Sequence, residues 1–360
     1  MKIVTLPGDG IGVEVTDAAL EVLRALEQRV GGFTLAFEEH PCGAHCYART
    51  GSDLPESTLR ACEGADAMLF GAGGWPEIRK ADGTEIAPQL ELRLHFELYA
   101  GVRPIRTLKG LPHPLASPRA AEIDLVLVRE QTEGLFFARG RSDVRGDEEV
   151  RDTMQITRKG TARVSDFALR LAEQRKAQGR RGHVTCVDKA NVFTSMAFFR
   201  KVFEERAKAH PGVTTDAAYV DATALNLVMK PWSFDVMVTE NMFGDILSDL
   251  TAALVGGMGM APSGDIGDKH ALFQPAHGSA PDIVGQGKAN PTAMLLSAAM
   301  MLEWLGARHG EAKLTEAAQL LGRAIESSFA GKTLLPFEFG GRSGTADITR
   351  AVIAAIGAAK

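Results

Sequence analysis

The chain has 360 residues, 45% of them hydrophobic and 24% charged, with a formal net charge of −5. These are ordinary values for a globular protein of one or two domains. Acids and bases are interspersed, which argues against a nucleic-acid surface or a basic membrane patch, and no apolar run approaches a bilayer span.

Met1 to Leu6 run straight into a glycine turn, without the longer apolar stretch and cleavage site of a signal peptide. A cytoplasmic location is therefore expected. Ile3-Val4-Thr5-Leu6 reads as a buried strand, followed by Pro7-Gly8-Asp9-Gly10-Ile11-Gly12. Next, Val15, Ala18, Ala19, Val22, Leu23 and Leu26 share one helical face. The glycine turn has GxGxG spacing and not GxGxxG, so a Rossmann fingerprint is not expected here. His40, Cys42, His45 and Cys46 lie close together, but no second Cys/His cluster completes a zinc spacing, and four cysteines make no disulfide framework.

The pattern of apolar run followed by polar residues recurs. Ala67 to Phe70 precede Gly71-Ala72-Gly73-Gly74, and Leu125 to Val128 precede Arg129-Glu130. Val184 to Val187 precede Asp188-Lys189, and Val236 to Thr239 precede Glu240-Asn241. Short continuous apolar runs fit strands covered on both faces by helices, so the class is α/β. Ligands in such sheets bind beyond the carboxyl ends of strands, where these charged residues fall. Thr107 to Pro118, with three prolines, and glycine-rich Gly256 to Gly267 are expected as loops. A long apolar helix is expected from Ala289 to Gly306.

Four groups carry chemistry. In Asn241-Met242-Phe243-Gly244-Asp245-Ile246-Leu247-Ser248-Asp249, a helix places Asp245 and Asp249 on one face. Such a pair repels unless a cation sits between, and hard divalent cations take oxygen ligands. Two solvated helix acids are the plain alternative. Arg93, Arg103 and Arg129 fall near predicted element ends, and guanidinium forks suit a substrate with several carboxylates. Lys189 and Asp221 are each expected to follow a buried strand, and a desolvated lysine can act as a base. Finally, His277-Gly278-Ser279-Ala280-Pro281-Asp282-Ile283, continuing to Asn290-Pro291, offers a loop with an anion site.

Together LPGDGIG, NMFGDILSD and HGSAPDI…ANP resemble, in the same order, motifs of the β-decarboxylating dehydrogenases. That family comprises the isopropylmalate, isocitrate, homoisocitrate and tartrate/D-malate dehydrogenases. The resemblance covers nearly the whole chain. It implies an isopropylmalate dehydrogenase-like, two-lobed open sheet and no Rossmann domain. Residues 1–99 plus 252–360 would form one lobe with the NAD loop. Residues 100–251 would form the other, with most substrate and metal residues and the homodimer interface.

Carried over by residue, the resemblance makes Arg93, Arg103 and Arg129 the substrate-carboxylate clamps, and Asn191 a substrate-pocket residue close to Lys189. Asp245 and Asp249 become metal ligands from one subunit, and Asp221 a ligand from the other. Lys189 becomes the partner-subunit catalytic lysine, assisted by Asp221. His277 to Ile283 and Asn290 become the adenosine loop. Asp282 and Ile283 stand where NADP-dependent relatives use lysine and tyrosine, so NAD is expected. The implied reaction is Mg²⁺- or Mn²⁺-assisted oxidation at C2, loss of CO₂, and protonation of the enolate at C3.

Two departures stand out. The tyrosine usual seven residues after the third arginine is Phe136, which cannot donate a proton, and Gln274 replaces a usual glutamate. Thr132-Glu133-Gly134 resembles the isocitrate, homoisocitrate and tartrate branches, and Gly257 to Gly264 the homoisocitrate or isocitrate relatives. Ile86, Pro88, Gln89 and Leu90 instead make an apolar specificity segment suited to isopropylmalate. The expected substrate is a 3-isopropylmalate-type malate, with tartrate/D-malate and homoisocitrate/isocitrate as alternatives. Oxidation without efficient decarboxylation and a non-catalytic ligand-binding relative are the competing readings.

Overall fold

The structure is a computed structural model that describes residues 1–359. It opens with β1 (Lys2–Gly8), α1 (Ile11–Val30), β2 (Ala36–Glu39), α2 (Ala44–Thr50), α3 (Glu56–Glu63) and β3 (Ala67–Ala72). Next come α4 (Pro88–His95), β4 (Ala100–Arg106) and β5 (Asp124–Glu130). A small hairpin, β6 (Asp143–Arg145) with β7 (Glu149–Arg151), leads to α5 (Arg158–Ala177), β8 (His183–Asp188) and α6 (Thr194–Ala207). The chain continues through β9 (Thr214–Tyr219), α7 (Val220–Met229), β10 (Val236–Thr239) and α8 (Asn241–Ala253). It finishes with β11 (Pro262–Ile266), β12 (Ala271–Pro275), α9 (Thr292–His309), α10 (Ala312–Ala330) and α11 (Thr345–Ala358).

Ten strands form one open sheet in the order β2-β1-β3-β12-β11-β4-β5-β10-β8-β9. Both flanks are parallel, and the strands at the centre reverse. β11 runs antiparallel to both β12 and β4, and β4 runs antiparallel to β5. This is not a dinucleotide-binding Rossmann order. The five apolar runs read from sequence are β1, β3, β5, β8 and β10, and their central residues are buried. All six expected face residues of α1 are buried, and Gly31 ends that helix in a positive-φ conformation. A single large-to-small change there, such as Leu23→Ala, would cost about 2–5 kcal/mol.

Two expectations need correction. Gly256 to Gly267 is not one loop: it contains β11, whose backbone is paired on both sides. Pairing overrides the poor strand propensity of Pro-Ser-Gly-Asp. The strand before Asp221, β9, lies at the sheet edge, and most of its residues are exposed.

The glycine turn packs against the loop after β12. Gly10 has φ +58°, and an added Cβ would sit 2.0 Å from the Ser279 carbonyl oxygen. The Ile11 amide donates to that same carbonyl at 2.9 Å. Its glycines therefore serve close approach between two segments of the chain. Asp9, wholly buried, accepts from the backbone amides of Ala44, His45 and Gly74, and from His45 Nδ1 at 2.9 Å. His45 is held by this carboxylate, while Cys42 and Cys46 are buried.

Candidate active site

The central reversal of the sheet brings three arginines to one cavity of about 310 Å³. Arg93 comes from α4, Arg103 from β4 and Arg129 from β5, and all three are buried. Asp245 and Asp249 reach the same cavity from α8, so the helical spacing does put both carboxylates on one face. Burial of a charge is costly unless it is paired. Each arginine is paired within the chain.

Arg129 Nε donates to Asn241 Oδ1 at 2.9 Å, one terminal nitrogen donates to the same oxygen at 2.7 Å, and the other engages Asp245. Gly244 makes room for this stem: a Cβ there would lie 2.6 Å from Arg129 Cγ. Helix α8 is started by Glu240, whose carboxylate accepts from the amides of Met242 and Phe243. Burial, with Arg93 nearby, lowers Arg129 to about 10. Burial likewise lowers Arg103.

Arg93 and Arg103 share a partner that spacing had not singled out. Asp265 of β11 is fully buried and accepts from Arg93 Nε at 2.8 Å and Arg103 Nη1 at 3.1 Å. Gln274 Nε2 of β12 donates to it at 2.9 Å, and Ser263 also engages Arg103. Burial opposes its charge, but the two guanidinium groups hold the Asp265 carboxyl down at about 2. A lone acid in a glycine-rich segment has no diagnostic spacing. Its one sequence signal is a charge beside apolar Ile266.

Asp249 behaves oppositely. Burial, and then the nearby Asp245 carboxylate, raise its pKa. That repulsion is what an inserted cation would relieve, so the Asp245–Asp249 pair fits a divalent metal. Within one copy these two stand without a third ligand. Among the described residues no group of three acidic, His or Cys side chains is close enough to hold an ion.

Lys189 and Asp221 are brought together, with Lys189 Nζ 2.6 Å from Asp221 Oδ1, but neither lines the arginine cavity. The hydrogen bond from Lys189 keeps the Asp221 carboxyl below the usual range. Asn191 is exposed beside them. Val192 and Phe193, which follow Asn191 in the chain, Leu225 and Met229 of α7, and Ile246 of α8 are exposed apolar residues.

The loop after β12 forms one edge of the cavity. His277 and Gly278 line it. His277 Nδ1 pairs with the Gly278 carbonyl at 2.9 Å, Nε2 is buried without a partner, and burial lowers the imidazole pKa. Ser279 is buried, Ala280 takes a left-handed conformation, and Pro281–Ile283 make one short turn with Asp282 exposed. Asn290 is buried, with Oδ1 accepting from the Thr292 amide and Nδ2 donating to Glu338. Phe136 lines the cavity with its ring 5.1 Å from the Arg129 guanidinium, where a hydroxyl is absent. A larger hollow of about 1030 Å³ opens between α1 and α11, but none of the three arginines lines it. Size alone does not make it the reacting centre.

Residues 2–352 match the family described as isocitrate/isopropylmalate dehydrogenase. The 3-isopropylmalate dehydrogenase of Moorella thermoacetica is 43% identical over 336 residues, 91% of each chain. The 3-isopropylmalate/3-methylmalate dehydrogenase of Methanocaldococcus jannaschii is 40% identical over 340 residues, 94% of this chain and 96% of its own. The crystal structure of isocitrate dehydrogenase from Methylococcus capsulatus superposes with a TM-score of 0.87 at 34% identity, covering 99% of both chains. With that match running from β1 to α11, the chain belongs to the isocitrate/isopropylmalate dehydrogenase family, as a decarboxylating dehydrogenase acting on a CH–OH group.

Proposed function

We propose that this enzyme uses NAD and Mg²⁺ or Mn²⁺ to oxidise and decarboxylate a malate bearing a small alkyl group at C3, of the 3-isopropylmalate type. The observation that carries this reading is the 310 Å³ cavity, with three buried arginines on one side and apolar Phe70, Ile86, Ala87, Leu90 and Phe136 on others. Arginines suit the carboxylates, and the apolar wall suits an alkyl arm. Relatives named for 3-isopropylmalate, one also for 3-methylmalate, favour the same class.

In this reading Arg93, Arg103 and Arg129 clamp the substrate carboxylates. Asp245 and Asp249 of one copy, with Asp221 of a second copy, would hold the metal. Lys189 and Asn191 would come from that second copy. The exposed apolar residues on α7 and α8 support a homodimer. Residues 1–99 with 252–360 would move as one lobe and 100–251 as the other, across the cleft. His277 to Ile283 and Asn290 would hold the adenosine of NAD, and exposed Asp282 disfavours a 2′-phosphate. The location is taken as cytoplasmic.

When bound, the cation supplies Lewis acidity at the 2-hydroxyl and the developing enolate, and the nicotinamide supplies the hydride acceptor. The chain's residues do the rest. The arginines orient the carboxylates, and the Lys189–Asp221 pair takes the hydroxyl proton. Phe136 cannot return a proton to C3, so that proton must come through solvent.

The test is NADH formation from a panel of 3-alkylmalates, D-malate, tartrate, isocitrate and homoisocitrate, with each metal. Metal-dependent turnover that is highest with a 3-alkylmalate supports the reading, and no turnover of any member contradicts it. Phe136 favours a second reading, oxidation with inefficient decarboxylation. A one-to-one yield of CO₂ and NADH excludes it.

A further inference from the structure

Asp265 is buried behind the arginines, away from solvent, and β11 fixes it between β4 and β12. Two guanidinium groups converge on this single carboxylate, while Arg129 has Asp245 to itself. The three arginines therefore carry one positive charge more than the two carboxylates they directly pair with, while Asp249 lines the same cavity without an ion pair to any of them. Gln274, on the cavity wall, faces the same carboxylate with a neutral amide that donates to it.

We infer that Asp265 is a positioning and specificity-determining residue. It locks Arg93 and Arg103 side by side, and it limits the fixed positive charge of the clamp, so that a dicarboxylate is favoured over a malate whose C3 arm ends in a third carboxylate. This deepens the reading of the cavity as the substrate site and rests on it. A fixed buried charge discriminates between ligands by what it repels as well as by what it holds. Asp265 touches no substrate; it acts through the two arginines.

The experiment moves the charge by one hydrogen bond. Asp265→Asn removes the carboxylate, and Asp265→Asn with Gln274→Glu places one at the other end of the same contact. Binding of 3-isopropylmalate and of homoisocitrate, whose arm carries the third carboxylate, is measured by calorimetry with Mg²⁺ present, alongside kcat/KM. Asp265→Asn should raise the homoisocitrate-to-isopropylmalate affinity ratio about tenfold, and the double variant should bring it back to within about threefold of the wild type. An unchanged ratio in Asp265→Asn, or no return in a folded double variant, would overturn the proposal.

If Asp265→Asn does not fold, Gln274→Glu alone decides. It adds a carboxylate without removing one, so the ratio should fall; an unchanged ratio overturns the inference. Wild type that binds both anions but oxidises neither sinks the proposed substrate reading and leaves the charge effect measurable. Wild type that binds neither anion overturns both.

Discussion

The arginine cavity and the Lys189–Asp221 face carry opposite charges at close range in contrasting settings. In the cavity every guanidinium is buried and paired inside one chain, with Asp265, Asn241 and Asp245 as partners. At the other face, the Asp221 side chain is 66% exposed and its one side-chain partner is Lys189. Buried charges are tolerated only with their partners in place, so the cavity is a self-contained set of paired charges. The Lys189–Asp221 pair has no such enclosure, with Lys189 half-buried and Asp221 open, and exposed apolar residues lie on the same and adjoining elements. The contrast teaches that one set of charges is enclosed within the chain while the other is left at its surface, which on the proposed reading is where a second copy would complete the site.

Among the changes that probe the cavity's pairing and packing, the largest expected effect comes from removing one guanidinium. Arg129→Met leaves Asp245 and Asn241 without their cation, and kcat/KM should fall roughly 10²–10³-fold, mostly through KM. Steady-state kinetics on a 3-alkylmalate checks it; a loss under about tenfold would mean that Arg129 is not part of the clamp.

Acid sharpens the same point. Asp265 drops from an ordinary 3.8 to about 2 in the folded chain. A depressed carboxyl pKa adds stability above the unfolded value, and that stability is lost as pH falls through the folded one. Wild type should therefore lose about 2 kcal/mol more than Asp265→Asn between pH 4 and pH 2, read from urea unfolding. Parallel acid profiles would remove Asp265 from the account.

Gly244→Ala should cost about 1–3 kcal/mol, because the new methyl meets the Arg129 stem. Its thermal unfolding should shift together with KM, tying the helix α8 packing to the clamp. The smallest effect is expected at Phe136→Tyr: stability unchanged within about 0.5 kcal/mol, and a rise of under about tenfold in the rate of CO₂ release. A stopped-flow comparison of CO₂ and NADH reads it directly.

Much of this contrast was legible in the sequence. β1, β3, β5, β8 and β10 announce themselves as apolar runs because both of their faces are covered. Asp245 and Asp249 declare a shared face through their four-residue spacing, and the three arginines share a cavity as expected. β11 was not legible, since Pro-Ser-Gly-Asp owes its strand conformation to neighbours far away in sequence. Asp265 was hidden for the same reason: its role is made by Arg93, 172 positions away, and by Arg103, 162 away. Gln274 stood out as an oddity, but only the geometry shows what it contacts. The Lys189–Asp221 pairing was anticipated, whereas the exposure of β9 beside it was not.

The most direct measurement mixes two crippled chains. Lys189→Met spoils the exposed face, and Asp245→Asn spoils the cavity, so each should be inactive alone. If the site is assembled from the cavity of one copy and the Lys189–Asp221 face of another, random mixed dimers carry one intact site in every two. Co-refolded at equal amounts, the mixture should recover about a quarter of wild-type NADH formation. Mixed dimers that form and remain inactive would contradict the shared site and place both halves within a single chain.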